Sequence, residues 1–160
     1  MKVTRYIYFC LLAILLSGCG NNKNDRENMG LSGNVKQIIE LQFIAEMKFG
    51  KPEKGDLYRE DGWDLIYLFN DKGYFEKITQ LNQISDEVGH SEYKYNDKKQ
   101  LTAEVSFDAE GGLSDKVVYT YDKNNRPTQA IAFNNTDNIT GSTLYEYKND
   151  TIVASSYNAR

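Results

Sequence analysis

The sequence predicts an all-β protein, an antiparallel meander of about 8–10 strands built from tandem hairpin repeats and curled or barrel-like. Three observations predict it. One phrase recurs as Tyr93-Lys94-Tyr95-Asn96, Val105-Ser106-Phe107-Asp108, Tyr119-Thr120-Tyr121-Asp122, Ile131-Ala132-Phe133-Asn134 and Tyr145-Glu146-Tyr147-Lys148. Its fourth residues, extended back to Asn82 and Asn70, are spaced alternately by 12 and 14 residues. Ahead of the repeats, Val35 to Phe49 alternates apolar and polar residues with period two, the pattern of a half-buried strand or of two strands joined by a bend.

The elements follow in chain order. Met1 to Arg5 is a short basic head, Tyr6 to Leu16 an apolar run, and Leu16-Ser17-Gly18-Cys19 closes it with small residues before a cysteine. This resembles a bacterial lipoprotein signal with its lipobox. The apolar run is about half of the roughly 20 residues that a spanning helix needs. The resemblance implies a signal peptide over 1–18, cleavage before Cys19 and lipid on its sulfur and new amine, with two or more acyl chains giving stable anchoring. Gly20 lacks the aspartate that marks inner-membrane retention in some bacteria, so the expected location is the cell envelope, at the outer membrane rather than the inner.

Cys10 leaves with the signal and Cys19 carries lipid, so cysteine chemistry is excluded. Loss of Lys2 and Arg5 takes the basic residues from 19 to 17 against 23 acids, a net charge of −6. That balance argues against nucleic acid as a partner. Residues 19–30 are polar with little to bury and read as a flexible tether. Residues 31–160 are expected to form a single β domain.

In that domain Gly50 to Asp56 reads as turn chemistry, and Trp63 to Phe69 as an apolar strand leading into the first repeat. Each repeat explains itself physically. Two aromatic or β-branched residues flank a residue that is often polar and point to one face of a strand. An Asn or Asp follows, whose side chain can bond the turn it opens. Three residues on stand Gly73, Lys99, Gly111, Asn125 and Asp137, mostly types that accept positive φ. Two beyond, Phe75, Leu101, Leu113, Pro127 and Ile139 begin the return strand.

Tyr119-Thr120-Tyr121-Asp122-Lys123-Asn124-Asn125-Arg126 resembles the YD (Rhs) repeat, Tyr-x-Tyr-Asp-x-x-Gly-Arg-Leu. Tyr67-x-Phe69-Asn70-x-x-Gly73-x-Phe75 and Val105-x-Phe107-Asp108-x-x-Gly111-x-Leu113 resemble it too, so the likeness covers about residues 65–153. Only Arg126 keeps the arginine, and Pro127 replaces the leucine of that copy. The resemblance implies a repetitive β structure of the kind found in shells around toxin segments and at cell surfaces. This chain is too short for a shell.

Parity puts Tyr93, Tyr95, Ala103, Val105, Phe107, Tyr119, Tyr121, Ile131, Phe133, Tyr145 and Tyr147 on one apolar face, with Lys94, Glu104, Ser106, Thr120 and Glu146 on the other. Alternate turns of a meander lie at opposite ends. Those after Asn70, Asn96, Asp122 and Lys148 hold six basic residues (Lys72, Lys98, Lys99, Lys123, Arg126, Lys148) against four acids (Asp71, Asp97, Asp122, Asp150), a net of +2. Those after Asn82, Asp108 and Asn134 hold Asp86, Glu87, Asp108, Glu110, Asp115 and Asp137 against Lys116, a net of −5. One rim is expected to be acidic.

Catalytic motifs are missing. His90 is the sole histidine, set between Gly89 and Ser91 in an expected surface loop. Glu104 and Glu146 have no assignable acid/base role, and no metal-ligand spacing, phosphate loop or dinucleotide fingerprint occurs. No cofactor, metal or catalytic residue is expected. The twelve tyrosines are the most informative residues left. Tyr93, Tyr95, Tyr119, Tyr121, Tyr145 and Tyr147 form the candidate binding surface, either stacking on sugars or anchoring a protein. Their structural alternative is cross-strand pairing within the sheet. The function expected is therefore a non-catalytic, membrane-anchored envelope lipoprotein that recognises protein or glycan. The alternative is a carrier of lipid or a small apolar molecule, with an internal cavity lined by Tyr95, Phe107, Tyr121, Phe133 and Tyr147.

Overall fold

The computed structural model describes residues 23–58, 64–82, 84–149 and 151–159. The signal peptide, Cys19, the first residues of the tether, Trp63 and Asp150 lie outside these. Helix α1 (Asp25–Asn28) is followed by β1 (Gln37–Glu40), β2 (Phe43–Lys48), β3 (Lys51–Leu57), β4 (Asp64–Phe69), β5 (Phe75–Leu81) and β6 (Glu87–Tyr95). Then come β7 (Leu101–Asp108), β8 (Leu113–Tyr121), β9 (Pro127–Asn134), β10 (Ile139–Lys148) and β11 (Thr151–Asn158). Nine strands form one antiparallel sheet in the order β1-β4-β5-β6-β7-β8-β9-β10-β11, and β2 with β3 forms a separate hairpin. The sheet is open, with β1 and β11 as its edges, so the barrel-like form is not adopted. Among the described residues no helix is long and apolar enough to cross a membrane.

The turns follow the repeat. In each of six, the Asx amide bonds the carbonyl four residues on, and the amide three residues on bonds back to the Asx carbonyl, as in Asp122 N to Arg126 O at 2.9 Å and Asn125 N to Asp122 O at 3.0 Å. In five of them the side-chain oxygen accepts two further amides, as Asp122 Oδ1 does from Asn124 (2.8 Å) and Arg126 (2.9 Å), and Asn96 Oδ1 accepts that of Gln100 (3.0 Å). The third residue after the Asx has positive φ at Gly73, Ser85, Lys99, Gly111, Asn125 and Asp137. The return strands start at Phe75, Leu101, Leu113, Pro127 and Ile139, as the repeat predicts. The seventh copy departs: Lys148 pairs directly with Thr151, and Asn149 takes φ 52°.

Each of these six turns carries a register shift beside it, and that corrects the expected single apolar face. Two residues face one at a bulge, so parity flips from strand to strand. Away from the bulges an odd-numbered residue always meets an even-numbered one, as Lys94 meets Ala103 and Val118 meets Ile131. Tyr93 therefore shares its face with Glu104, and Glu104 with Val117; Tyr119 shares it with Ala130, and Ala130 with Thr143. Ala103, Val105, Phe107, Ile131 and Phe133 lie on the opposite face, beside Lys94, Glu92, His90, Lys116 and Glu146.

Val35 to Phe49 is also divided. Its first half is β1, paired with β4, and its second is β2, outside the long sheet. In β1 the expected inward parity is reversed, Ile38 packing on the core while Ile39 is exposed, and beyond it Leu41, Ile44, Met47 and Phe49 are exposed whatever their parity. The stretch read as a turn from Gly50 to Asp56 is mostly strand β3, because Phe49 and Gly50, both at positive φ, complete the reversal alone.

The core sits at the start of the tyrosine face. Phe69, Phe75 and Ile78 are buried there, with Leu31, Ile38, Leu65, Tyr67 and Tyr93 against them. The Phe75 ring stands 5.2 Å from Phe69 and 5.8 Å from Tyr93. Burying such a side chain contributes about 2–3 kcal/mol.

The segment expected to be a flexible tether covers one end of this core. Asn24 caps α1 by accepting from Glu27 N (2.9 Å), and Glu27 Oε2 accepts from Asn24 N (2.9 Å). Arg26 N bonds Gly73 O at 3.0 Å, and Asp25 Oδ2 accepts both Phe75 N (2.8 Å) and the Tyr95 hydroxyl (3.0 Å). A polar stretch with nothing apolar to bury is held by hydrogen bonds to the first repeat. Ordering therefore reaches back to at least Asn24.

Candidate functional site

All six candidate tyrosines project from one face, on β6, β8 and β10, every second strand of the meander. Tyr119 is buried and the others are half-buried. Four have their hydroxyls committed within the fold. Tyr121 donates to Leu101 O (2.7 Å) and Tyr147 to Pro127 O (2.8 Å), each reaching back to the start of the preceding strand across the same sequence separation. Tyr95 makes the equivalent closure through Asp25 at the start of the sheet, and Tyr93 donates to Glu104 Oε1 at 3.3 Å. These bonds tie neighbouring strands together, the structural use of tyrosine. Arg126 adds to it by lying 4.4 Å over the Tyr147 ring.

Tyr119 and Tyr145 remain. The Tyr119 hydroxyl is buried without a partner, and so is Oε2 of Glu104, a side chain only 8% exposed. Burial pushes the Tyr119 hydroxyl well above the usual phenol range, and the charge of Glu104 and the Tyr145 and Tyr121 hydroxyls add to it. Burial likewise raises Glu104 to about 6, with the charge of Asp115 in the same direction and the Tyr93 bond opposing. Tyr145 is raised by burial too. An open acceptor and an open hydroxyl thus sit side by side in the tyrosine face.

Beside them the face sinks. Gly89, Ser91, Ser106 and Ala132 share this face on β6, β7 and β9 with small side chains, and they line a cleft of about 570 Å³. Gly89 is required there, since a Cβ on it would stand 2.7 Å from the Phe107 carbonyl oxygen, at a φ of 156°. Three acids, Glu104, Asp108 and Asp115, line this cleft, which opens toward the rim holding the turns after Asn82, Asp108 and Asn134. Val88 and Val117 supply apolar wall.

Sequence reasoning missed Glu104 as a site residue because parity set it on the polar face. Its expected counterpart Glu146 lies on the opposite face, exposed, with Lys148 Nζ at 2.8 Å. His90 is corrected from a surface loop to strand β6, half-buried, with its ring 4.9 Å from Phe107 and Nδ1 2.6 Å from Glu87 Oε1. The five residues expected to line one apolar cavity divide between the faces, Tyr95, Tyr121 and Tyr147 on one and Phe107 and Phe133 on the other. Compared with protein-family models the chain matches none, and a search of curated proteins finds no matching sequence.

Proposed function

We propose that this chain is a non-catalytic binding module of the cell envelope, anchored by lipid on Cys19, that recognises a protein or glycan through the tyrosine face of its sheet. The observation that carries the reading is the half-buried stripe from Tyr93 to Tyr147 with the Tyr119 hydroxyl and Oε2 of Glu104 left unpartnered beside a cleft. Tyrosine offers a flat apolar body with a polar tip, and such groups dominate recognition when a partner desolvates them. The lipobox-like Leu16 to Cys19 supports the anchor, and the regular Asx turns fit the resemblance to YD repeats.

Binding of the full chain, held in detergent, to envelope proteins and to a panel of glycans tests the reading. The variant Tyr145→Ser keeps every hydrogen bond described for the other five tyrosines. It is expected to weaken capture of the partner about tenfold, in the range of a truncated aromatic anchor. Capture that is unchanged in Tyr145→Ser and in Tyr119→Phe overturns it.

A further inference from the structure

The cleft beside Glu104 has a chemistry of its own. Glu104 Oε1 takes the Tyr93 hydroxyl and Oε2 takes nothing, although the side chain is more than nine-tenths buried. A buried carboxylate oxygen without a donor is unstable with respect to any ligand that supplies one. Glu104 lines the cleft, and the terminal torsion of a glutamate is soft, so that oxygen can turn to a donor placed there. The Tyr119 hydroxyl, also unpartnered, is near enough for the two groups to perturb each other.

Charge narrows the donor. Glu104, Asp108 and Asp115 line the cleft, while the one imidazole beside it, His90, turns to the opposite face and is engaged by Glu87. A neutral hydroxyl or amide would satisfy Oε2 and leave the negative potential uncompensated, whereas a cation answers both. Among the described residues no three His, Cys, Asp or Glu side chains converge as metal ligands would, which favours an organic cation. The wall of Val88 and Val117 suits a methylene stem behind a charged head.

We propose that the cleft receives a primary ammonium group carried on a lysine side chain of the partner protein. The inference rests on the binding-module reading and specifies the ligand of its site. The ammonium donates to Glu104 Oε2, its remaining protons face the Asp115 and Asp108 end, and its stem lies along the apolar wall.

The test titrates the full chain in detergent with the blocked tripeptide acetyl-Gly-Lys-Gly-amide, with its acetyl-lysine counterpart and with the glucosamine dimer, followed by calorimetry. The lysine peptide is expected to bind saturably and at least tenfold more tightly than the acetylated one. Glu104→Gln is expected to lose tenfold or more, Asp115→Asn, at an exposed position, about threefold, and Glu146→Gln on the opposite face nothing. Equal binding of the two peptides, tighter binding of the glucosamine dimer, or an unchanged affinity in Glu104→Gln and Asp115→Asn overturns it. If the lysine peptide fails while Tyr145→Ser still abolishes partner capture, the lysine inference falls and the binding module stands. If both fail, both fall.

Discussion

Glu104→Gln should stabilise the protein at neutral pH and leave it unchanged in acid. Burial pushes the Glu104 carboxyl from the ordinary 4.5 up to about 6. At about 1.4 kcal/mol for each tenfold change in proton affinity, the folded state is worse off by about 2 kcal/mol once the group is ionised. Below pH 4.5 the carboxyl is protonated in both folded and unfolded chains, and the full stability is present. As pH rises from 4.5 through 6 the unfolded chain gives up its proton first, and stability is lost. Glutamine has nearly the same shape and no charge at any pH. Urea unfolding followed by circular dichroism should therefore give equal stability for the wild type and Glu104→Gln at pH 4, and about 2 kcal/mol in favour of the variant at pH 7.5. Because Asp25, also raised by burial, is present in both proteins, its contribution cancels in the difference. A difference that is the same at both pH values, or that favours the wild type at pH 7.5, would refute the reasoning.

Four further outcomes follow from the same geometry. Asp25→Ala should cost about 2–3 kcal/mol in urea unfolding, since Phe75 N and the Tyr95 hydroxyl lose their shared acceptor, and the Phe75 amide should lose hydrogen-exchange protection. Tyr121→Phe and Tyr147→Phe should each cost about 1 kcal/mol and by similar amounts, because both hydroxyls close onto the carbonyl that begins the preceding strand; a large cost in one alone would contradict their equivalence. Lys99→Gly should stabilise by about 0.5–1 kcal/mol, since Lys99 holds φ 65° at a position where other repeats use glycine. Cys19→Ala should abolish incorporation of labelled palmitate and release the protein from the membrane fraction, as the proposed lipid anchor requires.

Residue type alone made the turns legible. The Asx that opens each reversal, the glycine, asparagine or aspartate three residues later and the apolar residue two beyond are local requirements of one backbone geometry, so Asp122 to Pro127 could be read without knowing its neighbours. The faces were illegible for a reason contained in the same turns. The bulge beside each of six adds one residue, which moves Phe107 and Phe133 away from Tyr93 and Tyr119 and carries Glu104 into their midst. Counting through the turn, with the Asx amide bonded four residues on, would have exposed the flip. Asn24-x-x-Glu27 had the form of a capping box, but nothing in a polar stretch said that Asp25 would reach Phe75 and Tyr95, fifty and seventy residues away. The alternation from Val35 to Phe49 misled because β1 lies at the edge of the long sheet and β2 outside it, so apolar Ile39, Met47 and Phe49 meet solvent.

The measurement that tests the central claim most directly is photocrosslinking in the native envelope from two adjacent positions. Tyr145 and Leu144 are neighbours on β10 that point to opposite faces, Tyr145 opposite Ala154 and Leu144 opposite Ser155, and both are accessible enough to carry a benzoylphenylalanine. Recognition through the tyrosine face predicts a discrete partner adduct from position 145 and none from position 144. Adducts from 144 alone, or in equal yield from both, would contradict it.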